Sequence, residues 1–86
     1  MKIIADVGGT RGRWVLVDKS SKKIIETLGF NPYIHDVNIL NKIIKELNNS
    51  FDLDVIKEVK YYGAGINNYY SKKIVIDTLK ESFKVS

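Results

Sequence analysis

The sequence predicts one α/β domain with a mixed β-sheet and the element order β-β-β-α-β-α. Three short segments rich in Ile, Val and Leu come first, separated only by short polar or glycine-rich links, which is typical of an antiparallel meander. Two segments with apolar residues at helical spacing follow, with another short apolar segment between them. A meander that leads into a β-α-β crossover gives a sheet with both antiparallel and parallel strand pairs.

The predicted strands are short, and each ends at a polar or glycine-containing stretch. They span residues 2–7, 14–17, 23–28 and 59–62. The run from Gly8 to Gly12 separates the first strand from the second, and residues 19–22 form a polar turn before the third. The fourth strand ends at the Gly63-Ala64-Gly65 turn.

Two helices are predicted from the spacing of apolar residues and from a capping residue. Asp36 is a favourable N-cap for the first helix, which runs to about Asn48. Its apolar face consists of Val37, Leu40, Ile44 and Leu47, with Ile43 beside them. The second helix covers residues 67–83, and its apolar side consists of Val75, Ile76, Leu79 and Phe83. Residues 50–57 favour no single type of element.

The 86-residue chain has the composition of a globular domain, with 44% hydrophobic residues, 28% charged residues and a net charge of +4. The lack of cysteine excludes disulfides, thiolate zinc sites and a cysteine nucleophile. No apolar run approaches the ~20 residues that cross a bilayer, and Asp6 comes too early for a signal peptide. We therefore expect a soluble cytoplasmic protein.

The motif with the clearest chemistry follows the first strand. Asp6 places a carboxylate at the strand tip, and Gly8 and Gly9 allow a tight turn whose N–H groups can bind an anion. Thr10 adds a hydroxyl, Arg11 adds a guanidinium suited to phosphate oxygens, and the carboxylate can hold Mg²⁺ through water. These residues predict a cradle for phosphate and metal. The alternative is a glycine-rich hairpin turn with a solvated aspartate, since short glycine motifs often match by accident.

Two further segments are candidates for the same site. If the first and fourth strands are parallel neighbours, the Gly63-Ala64-Gly65 turn leaves the sheet at the edge where open α/β sheets bind ligands. The alternative is a simple strand-to-helix turn. Asn31, which precedes Pro32, can either donate hydrogen bonds to a sugar hydroxyl or close an Asx turn, and the turn is favoured.

The single histidine and the tyrosines have simpler interpretations. His35 has no second His or Cys to share a metal, so we expect a surface or capping residue. The tyrosines at positions 61, 62, 69 and 70 could stack bases. Packing against strands and helix faces explains them more economically, and the same holds for Trp14.

Three separated motifs, in the same order, resemble a known family. Residues 6–18, DVGGTRGRWVLVD, are similar to the first phosphate loop of the actin-like ATPase and sugar-kinase superfamily. Residues 27–32, TLGFNP, and 61–65, YYGAG, resemble the N-acetylglucosamine kinases and the BadF/BadG-type ATPases within it. The resemblance covers nearly all of the chain.

The resemblance implies a ribonuclease-H-like fold and phosphoryl transfer from ATP to the 6-hydroxyl of an amino sugar. It implies that Asp6 lies near Mg²⁺ and that Gly8, Gly9, Thr10 and Arg11 surround the phosphates of ATP. Asn31 matches an asparagine that faces the sugar, and Gly63, Ala64 and Gly65 line the floor of the sugar pocket. A loop with a metal suits this chemistry, which depends on positioning and on neutralising charge.

Two departures from the family pattern affect these expectations. The family often has an acidic residue where Arg13 stands. Relatives also continue into a fifth strand that ends in the catalytic Asp, and then into an adenosine-binding lobe. The chain stops at Ser86, so we expect a partial domain over residues 1–86 that contains no catalytic residue. We expect it to bind ATP weakly, to leave sugar unphosphorylated and to be open to self-association along the fourth strand.

Two other functions are compatible with the sequence. The basic charge and the tyrosines permit a nucleic-acid-binding module. A ribonuclease-H-type nuclease is disfavoured because it needs several converging carboxylates, and the fourth strand ends in Tyr62-Gly63. A non-enzymatic interaction domain that binds a partner through its open edge is the other alternative.

Overall fold

The computed structural model describes residues 1–84, and its centre is a four-stranded mixed sheet. The strands are β1 (Lys2–Val7), β2 (Arg11–Val17), β3 (Lys22–Leu28) and β4 (Glu58–Gly63). Their order across the sheet is β3-β2-β1-β4. β1 pairs antiparallel with β2 and parallel with β4, and β2 pairs antiparallel with β3. The predicted α/β class, the meander and the mixed sheet are confirmed.

Two helices and one short turn of 3-10 helix connect and cover the strands. They are α1 (Val37–Asn48), the 3-10 turn (Leu53–Val55) and α2 (Tyr69–Phe83). The predicted cap of α1 is confirmed, because the Asp36 carboxylate accepts a hydrogen bond from the Asn38 amide at 2.8 Å. α2 begins two residues later than predicted, because the side chain of Asn68 caps it. Within residues 1–84, neither helix has the length and apolar character needed to span a bilayer.

The core lies between the sheet and the two helices. Alternate residues of β1 and β2 are buried, as expected for strands that present one face to the core. One cluster contains Ile3, Ala5, Val7, Trp14 and Leu16 from the strands together with Leu40, Ile43, Ile44, Leu47, Val75, Leu79 and Phe83 from the helices. Both helices therefore pack on the same face of the sheet.

Besides the later start of α2, the structure departs from the predicted elements at the start of β2 and on the apolar faces of both helices. β2 begins at Arg11 rather than Trp14, because it pairs with β1 as far as Gly12 and with β3 as far as Arg11. Val37 and Ile76, predicted for the buried helix faces, are both exposed. Val37 lies in the first turn of α1, at the edge of the packed surface, and Ile76 borders a groove beside β4.

Candidate functional site

The parallel pairing of β1 with β4 brings two of the predicted site segments together. Val7 and Gly63 are register partners, so the loop after β1 and the turn after β4 leave the sheet at the same edge. The Ala64 amide also donates a 2.9 Å hydrogen bond to the Val7 carbonyl, which ties the two chain segments directly. This is the carboxyl edge of the parallel pair, where open α/β sheets bind ligands.

The loop after β1 is a tight hairpin whose back is fixed to the segment after β3. The carbonyls of Gly8 and Thr10 accept hydrogen bonds from the amides of Phe30, at 3.0 Å, and Gly29, at 2.9 Å. Because a trans peptide places its N–H opposite its C=O, the Gly9 amide is directed away from Phe30. Within residues 1–84 the Gly9 amide has no hydrogen-bond acceptor, and it is available to an anion.

The hairpin leaves some of the donors expected for a phosphate cradle free, but it uses the Gly8 amide for its own closure. The Gly8 amide already donates to the Arg11 carbonyl at 2.9 Å, so it closes the hairpin and is not a free donor. Gly9, Thr10 and Arg11 are all exposed at the turn. Among residues 1–84, the donors left free at this turn include the Gly9 amide, the Thr10 hydroxyl and the Arg11 guanidinium. A hairpin of this form fits both interpretations of the motif, the phosphate cradle and the simple glycine-rich turn with a solvated aspartate.

Gly29 allows the close approach that fixes the hairpin. A Cβ atom at this position would lie 2.2 Å from the Gly8 carbonyl oxygen, 2.6 Å from the Thr10 nitrogen and 2.7 Å from the Arg11 nitrogen. All three are backbone atoms, so no side-chain rotation can relieve the overlap. Gly29 is thus a structural requirement of the hairpin geometry, although the sequence prediction did not single it out.

Asp6 lies on the face of the sheet that the two helices leave uncovered, in a row of polar side chains. Its register partners are Arg13 on β2 and Tyr62 on β4, and Arg13 in turn pairs with Glu26 on β3. Cross-strand neighbours of opposite charge stabilise a sheet modestly. Arg13 therefore stands between two carboxylates, Asp6 and Glu26.

The surroundings of Asp6 limit how it could hold a metal. Within residues 1–84 no group of three or more Asp, Glu or His side chains is placed to bind a metal ion. Mg²⁺ in nucleotide sites commonly takes one or two carboxylates, keeps several waters and binds the substrate phosphates. Asp6 alone fits that role, as a single ligand to a Mg²⁺ ion that arrives with a nucleotide.

Asn31 and Gly65, both predicted for the substrate side, are in close contact. Gly65 has a φ of +72°, a left-handed conformation that favours glycine. A Cβ at Gly65 would meet the side-chain oxygen of Asn31 at 2.2 Å. That oxygen accepts a hydrogen bond from the Tyr33 amide at 3.0 Å, so the Asx turn considered for Asn31 is present. His35 supports the same loop, because its Nδ1 accepts a 2.9 Å hydrogen bond from the Asn31 amide.

The tyrosines divide into one packed residue and three exposed ones. Tyr61 packs beside Trp14, with ring centroids 5.9 Å apart. Tyr62, Tyr69 and Tyr70 are 62%, 71% and 79% exposed, so the expectation that packing explains all four is wrong for these three. Tyr62 points to the uncovered face of the sheet, and the other two occupy the first turn of α2, beyond the core contacts.

The Tyr61 hydroxyl is buried without a hydrogen-bond partner among residues 1–84. Tyr61 lines a groove of about 230 Å³ between β4 and α2, together with Val59, Ile66, Lys72, Val75, Ile76, Leu79 and Lys80. Burial raises the pKa of Tyr61 from 10.0 to about 12, because the charged phenolate would lose its solvation. The hydroxyl therefore stays protonated and can act only as a neutral donor or acceptor at ordinary pH.

Replacing Tyr61 with Phe is expected to stabilise the domain by about 1 kcal/mol at neutral pH, because it removes an unpaired buried hydroxyl. It should also change the response to alkali. As pH rises from 10 towards 12, the unfolded tyrosine loses its proton before the folded one does, so the free energy of unfolding of the wild type falls. Urea unfolding at neutral pH and at pH 11 measures both effects.

Tyr62→Phe is the matched control for Tyr61→Phe, since its ring is on the same strand and largely exposed. It should leave stability unchanged at neutral pH and should retain the alkaline loss. A Tyr61→Phe protein less stable than the wild type at neutral pH would show that the hydroxyl makes a favourable contact.

Several residues of the site were not anticipated from the sequence. Besides Gly29, they are Tyr33, Asn67 and Asn68. The Tyr33 hydroxyl donates to the Asn67 side-chain oxygen at 3.0 Å and accepts a hydrogen bond from the Asn68 side-chain amide. The Asn-Asn pair just before a helical pattern is an N-cap signal that could have located Asn68. No local signal indicates its contact with Tyr33, since the two lie 35 positions apart.

The chain matches no protein-family model and none of the curated proteins with which it was compared.

Proposed function

We propose that this chain is the N-terminal part of an ATP-dependent sugar kinase of the actin-like ATPase superfamily, similar to the N-acetylglucosamine kinases and BadF/BadG-type ATPases. One observation carries the proposal: the glycine hairpin after β1 and the Gly63–Gly65 turn after β4 leave the same carboxyl edge of a parallel pair. The position of β4 beside β1 is also what a ribonuclease-H-like fold requires, which supports that finer fold assignment.

The nucleotide side of the proposed site is the hairpin. The Gly9 amide, the Thr10 hydroxyl and the Arg11 guanidinium supply donors for phosphate oxygens, with Gly8 closing the turn. Asp6 would take one position on a Mg²⁺ ion, which would neutralise charge on the transferring phosphoryl group. Such donors stabilise the charge of the transition state best when they are fixed in advance, and Gly29 and Phe30 fix this hairpin from behind.

The sugar side of the proposed site is the contact between Asn31 and the Gly63-Ala64-Gly65 turn. Gly65 approaches the Asn31 side chain closely, so the two segments form one continuous surface next to the hairpin. Asparagine side chains and exposed backbone groups are donors and acceptors that suit sugar hydroxyls. Asn31 keeps its amide nitrogen for a ligand while its oxygen closes the Asx turn.

The isolated chain should hold nucleotide weakly for two physical reasons. Residues 1–84 provide one wall of a site, and affinity depends on enclosing the ligand between several groups. Arg13 also lies beside Asp6 in the cross-strand register, and its positive charge opposes a divalent cation there. Within the described residues, Asp6 is the acidic residue at the carboxyl ends of β1 and β4, so these ends offer no second carboxylate as a general base.

Titration of the isotopically labelled 86-residue chain with Mg-ATP, followed by NMR, tests the nucleotide site. We expect a dissociation constant on the order of 1 mM and amide shifts concentrated in residues 8–11. Thr10→Ala should weaken binding several-fold because it removes one phosphate donor. Ser20→Ala is the matched control, since it removes a hydroxyl from the polar turn at the opposite end of β2.

Three outcomes would contradict the nucleotide proposal or its weak-binding part. Low-micromolar affinity for Mg-ATP in isothermal titration would show that the surface formed by residues 1–84 is sufficient for tight binding. A lack of shifts in residues 8–11 at millimolar Mg-ATP would remove the nucleotide site. Equal shifts in the hairpin and in the turn at residues 19–21 would indicate non-specific binding to a basic protein.

A further inference from the structure

A hydrogen-bonded link joins the two loops that form the sugar side of the proposed site. The Tyr33 hydroxyl donates to the Asn67 side chain at 3.0 Å and accepts from the Asn68 side-chain amide. Tyr33 belongs to the loop that contains Asn31, and the two asparagines follow directly on the Gly63–Gly65 turn. The link therefore crosses from the segment after β3 to the segment after β4.

Tyr33 is held at both ends. Its backbone amide donates to the Asn31 side-chain oxygen at 3.0 Å, so the Asx turn fixes the main chain from which its side chain extends. Tyr33 as a whole is 56% exposed, so burial in the core does not explain its position. The hydrogen bonds of its backbone amide and its hydroxyl fix the position of the Tyr33 side chain.

The opposite end of the link is anchored in α2. The side-chain oxygen of Asn68 accepts hydrogen bonds from the Ser71 amide at 3.0 Å and the Ser71 hydroxyl at 2.9 Å. Ser71 is buried, with 6% of its surface exposed. Asn68 thus caps the helix with one atom and binds Tyr33 with another, and the link ends on a rigid element rather than on a free loop.

We propose that Tyr33 is a positioning residue that locks the Asn31 loop to the Gly63–Gly65 turn and so presets the sugar-binding surface. This inference rests on the proposed sugar-kinase function. A ligand that binds through a few hydroxyls loses affinity when the protein must first order two loops around it. With Tyr33 in place, the contact between Asn31 and Gly65 is set before the sugar arrives.

Tyr33→Phe in the 86-residue chain tests the link, with two readouts. Amide hydrogen exchange should become about fivefold faster at Ala64 and Ser71, whose amides are hydrogen-bonded in the wild type, because the segment between them loses its hydroxyl contact. The dissociation constant for N-acetylglucosamine, followed by NMR at the Asn31 and Gly65 amides, should rise by about five- to tenfold. The midpoint of urea unfolding of Tyr33→Phe should equal that of the control variant. This result would separate a positioning role from an effect on overall stability.

Tyr70→Phe is the matched control, because Tyr70 is 79% exposed and makes no hydrogen bond among residues 1–84 through its hydroxyl. It should leave exchange and sugar affinity as in the wild type. Unchanged exchange in Tyr33→Phe, or unchanged sugar affinity beside a wild type that binds, overturns the inference and leaves the proposed function standing. A wild type that shows no sugar-dependent shift at Asn31 or Gly65 removes the proposed sugar function, and the role of Tyr33 with it.

Discussion

Gly29→Ala is expected to lower the free energy of unfolding by about 3 kcal/mol, at the upper end of the cost of overpacking. The added methyl group would overlap the Gly8 carbonyl oxygen at 2.2 Å and the Thr10 nitrogen at 2.6 Å. The hairpin would have to move away from the segment after β3 and would lose the hydrogen bonds that Gly29 and Phe30 donate to it. Urea unfolding followed by circular dichroism measures the loss.

Gly9→Ala is the matched control for Gly29→Ala. It adds the same methyl group in the same hairpin, but nothing lies within 4 Å of the new atom. Its stability should stay close to that of the wild type, apart from a small gain through the unfolded chain. If Gly29→Ala were as stable as Gly9→Ala, the hairpin could move away from the segment after β3, and the proposal that it is a fixed phosphate loop would lose its basis.

Trp14→Ala should destabilise the domain by about 3–5 kcal/mol, the usual cost of removing a large buried aromatic side chain. Trp14 is fully buried, packs beside Tyr61 and donates its indole N–H to the Thr27 hydroxyl at 3.0 Å. A domain of this size has a total stability of only a few kcal/mol, so the variant should be largely unfolded at 25 °C. Circular dichroism and NMR dispersion measure this without relying on tryptophan fluorescence.

Two further variants make the Trp14 experiment specific. Tyr62→Ala removes an aromatic ring of similar size from the uncovered face of β4 and should cost less than ~1 kcal/mol. Trp14→Phe retains most of the packing but leaves the Thr27 hydroxyl without its indole partner, and its effect should be intermediate. A folded Trp14→Ala protein with dispersed NMR signals would mean that the sheet and helices remain packed without the Trp14 side chain.

Much of the fold follows from local patterns. β1 and α1 match the prediction at both ends, because an unbroken apolar run and an Asp N-cap are signals contained within a few residues. The start of β2 at Arg11 was missed because it depends on pairing with both β1 and β3, not on the composition of residues 11–13. The exposure of Tyr69 and Tyr70 depends on where the core ends along α2, and spacing alone does not show this.

The candidate site was predictable to a similar degree. Asp6, the glycine hairpin, Asn31 and the Gly63–Gly65 turn could be selected from the sequence, because strand tips and glycine turns are local features. Their assembly depends on β4 pairing with β1 over more than 50 positions, which the sequence suggests only through the order of its elements. Gly29 and Tyr33 act through tertiary contacts, so their importance becomes visible only once the loops are placed.

The parallel register of β1 and β4 also determines the order in which the domain can assemble. β1 finds its first partner, β2, within a few residues, whereas its second partner begins at Glu58. Closing so long a chain segment costs more entropy than closing a hairpin, and non-local pairing of this kind is slow. During synthesis β1 can therefore pair only with β2 until the ribosome has synthesised residues up to Gly63. Only then can β1 also pair with β4.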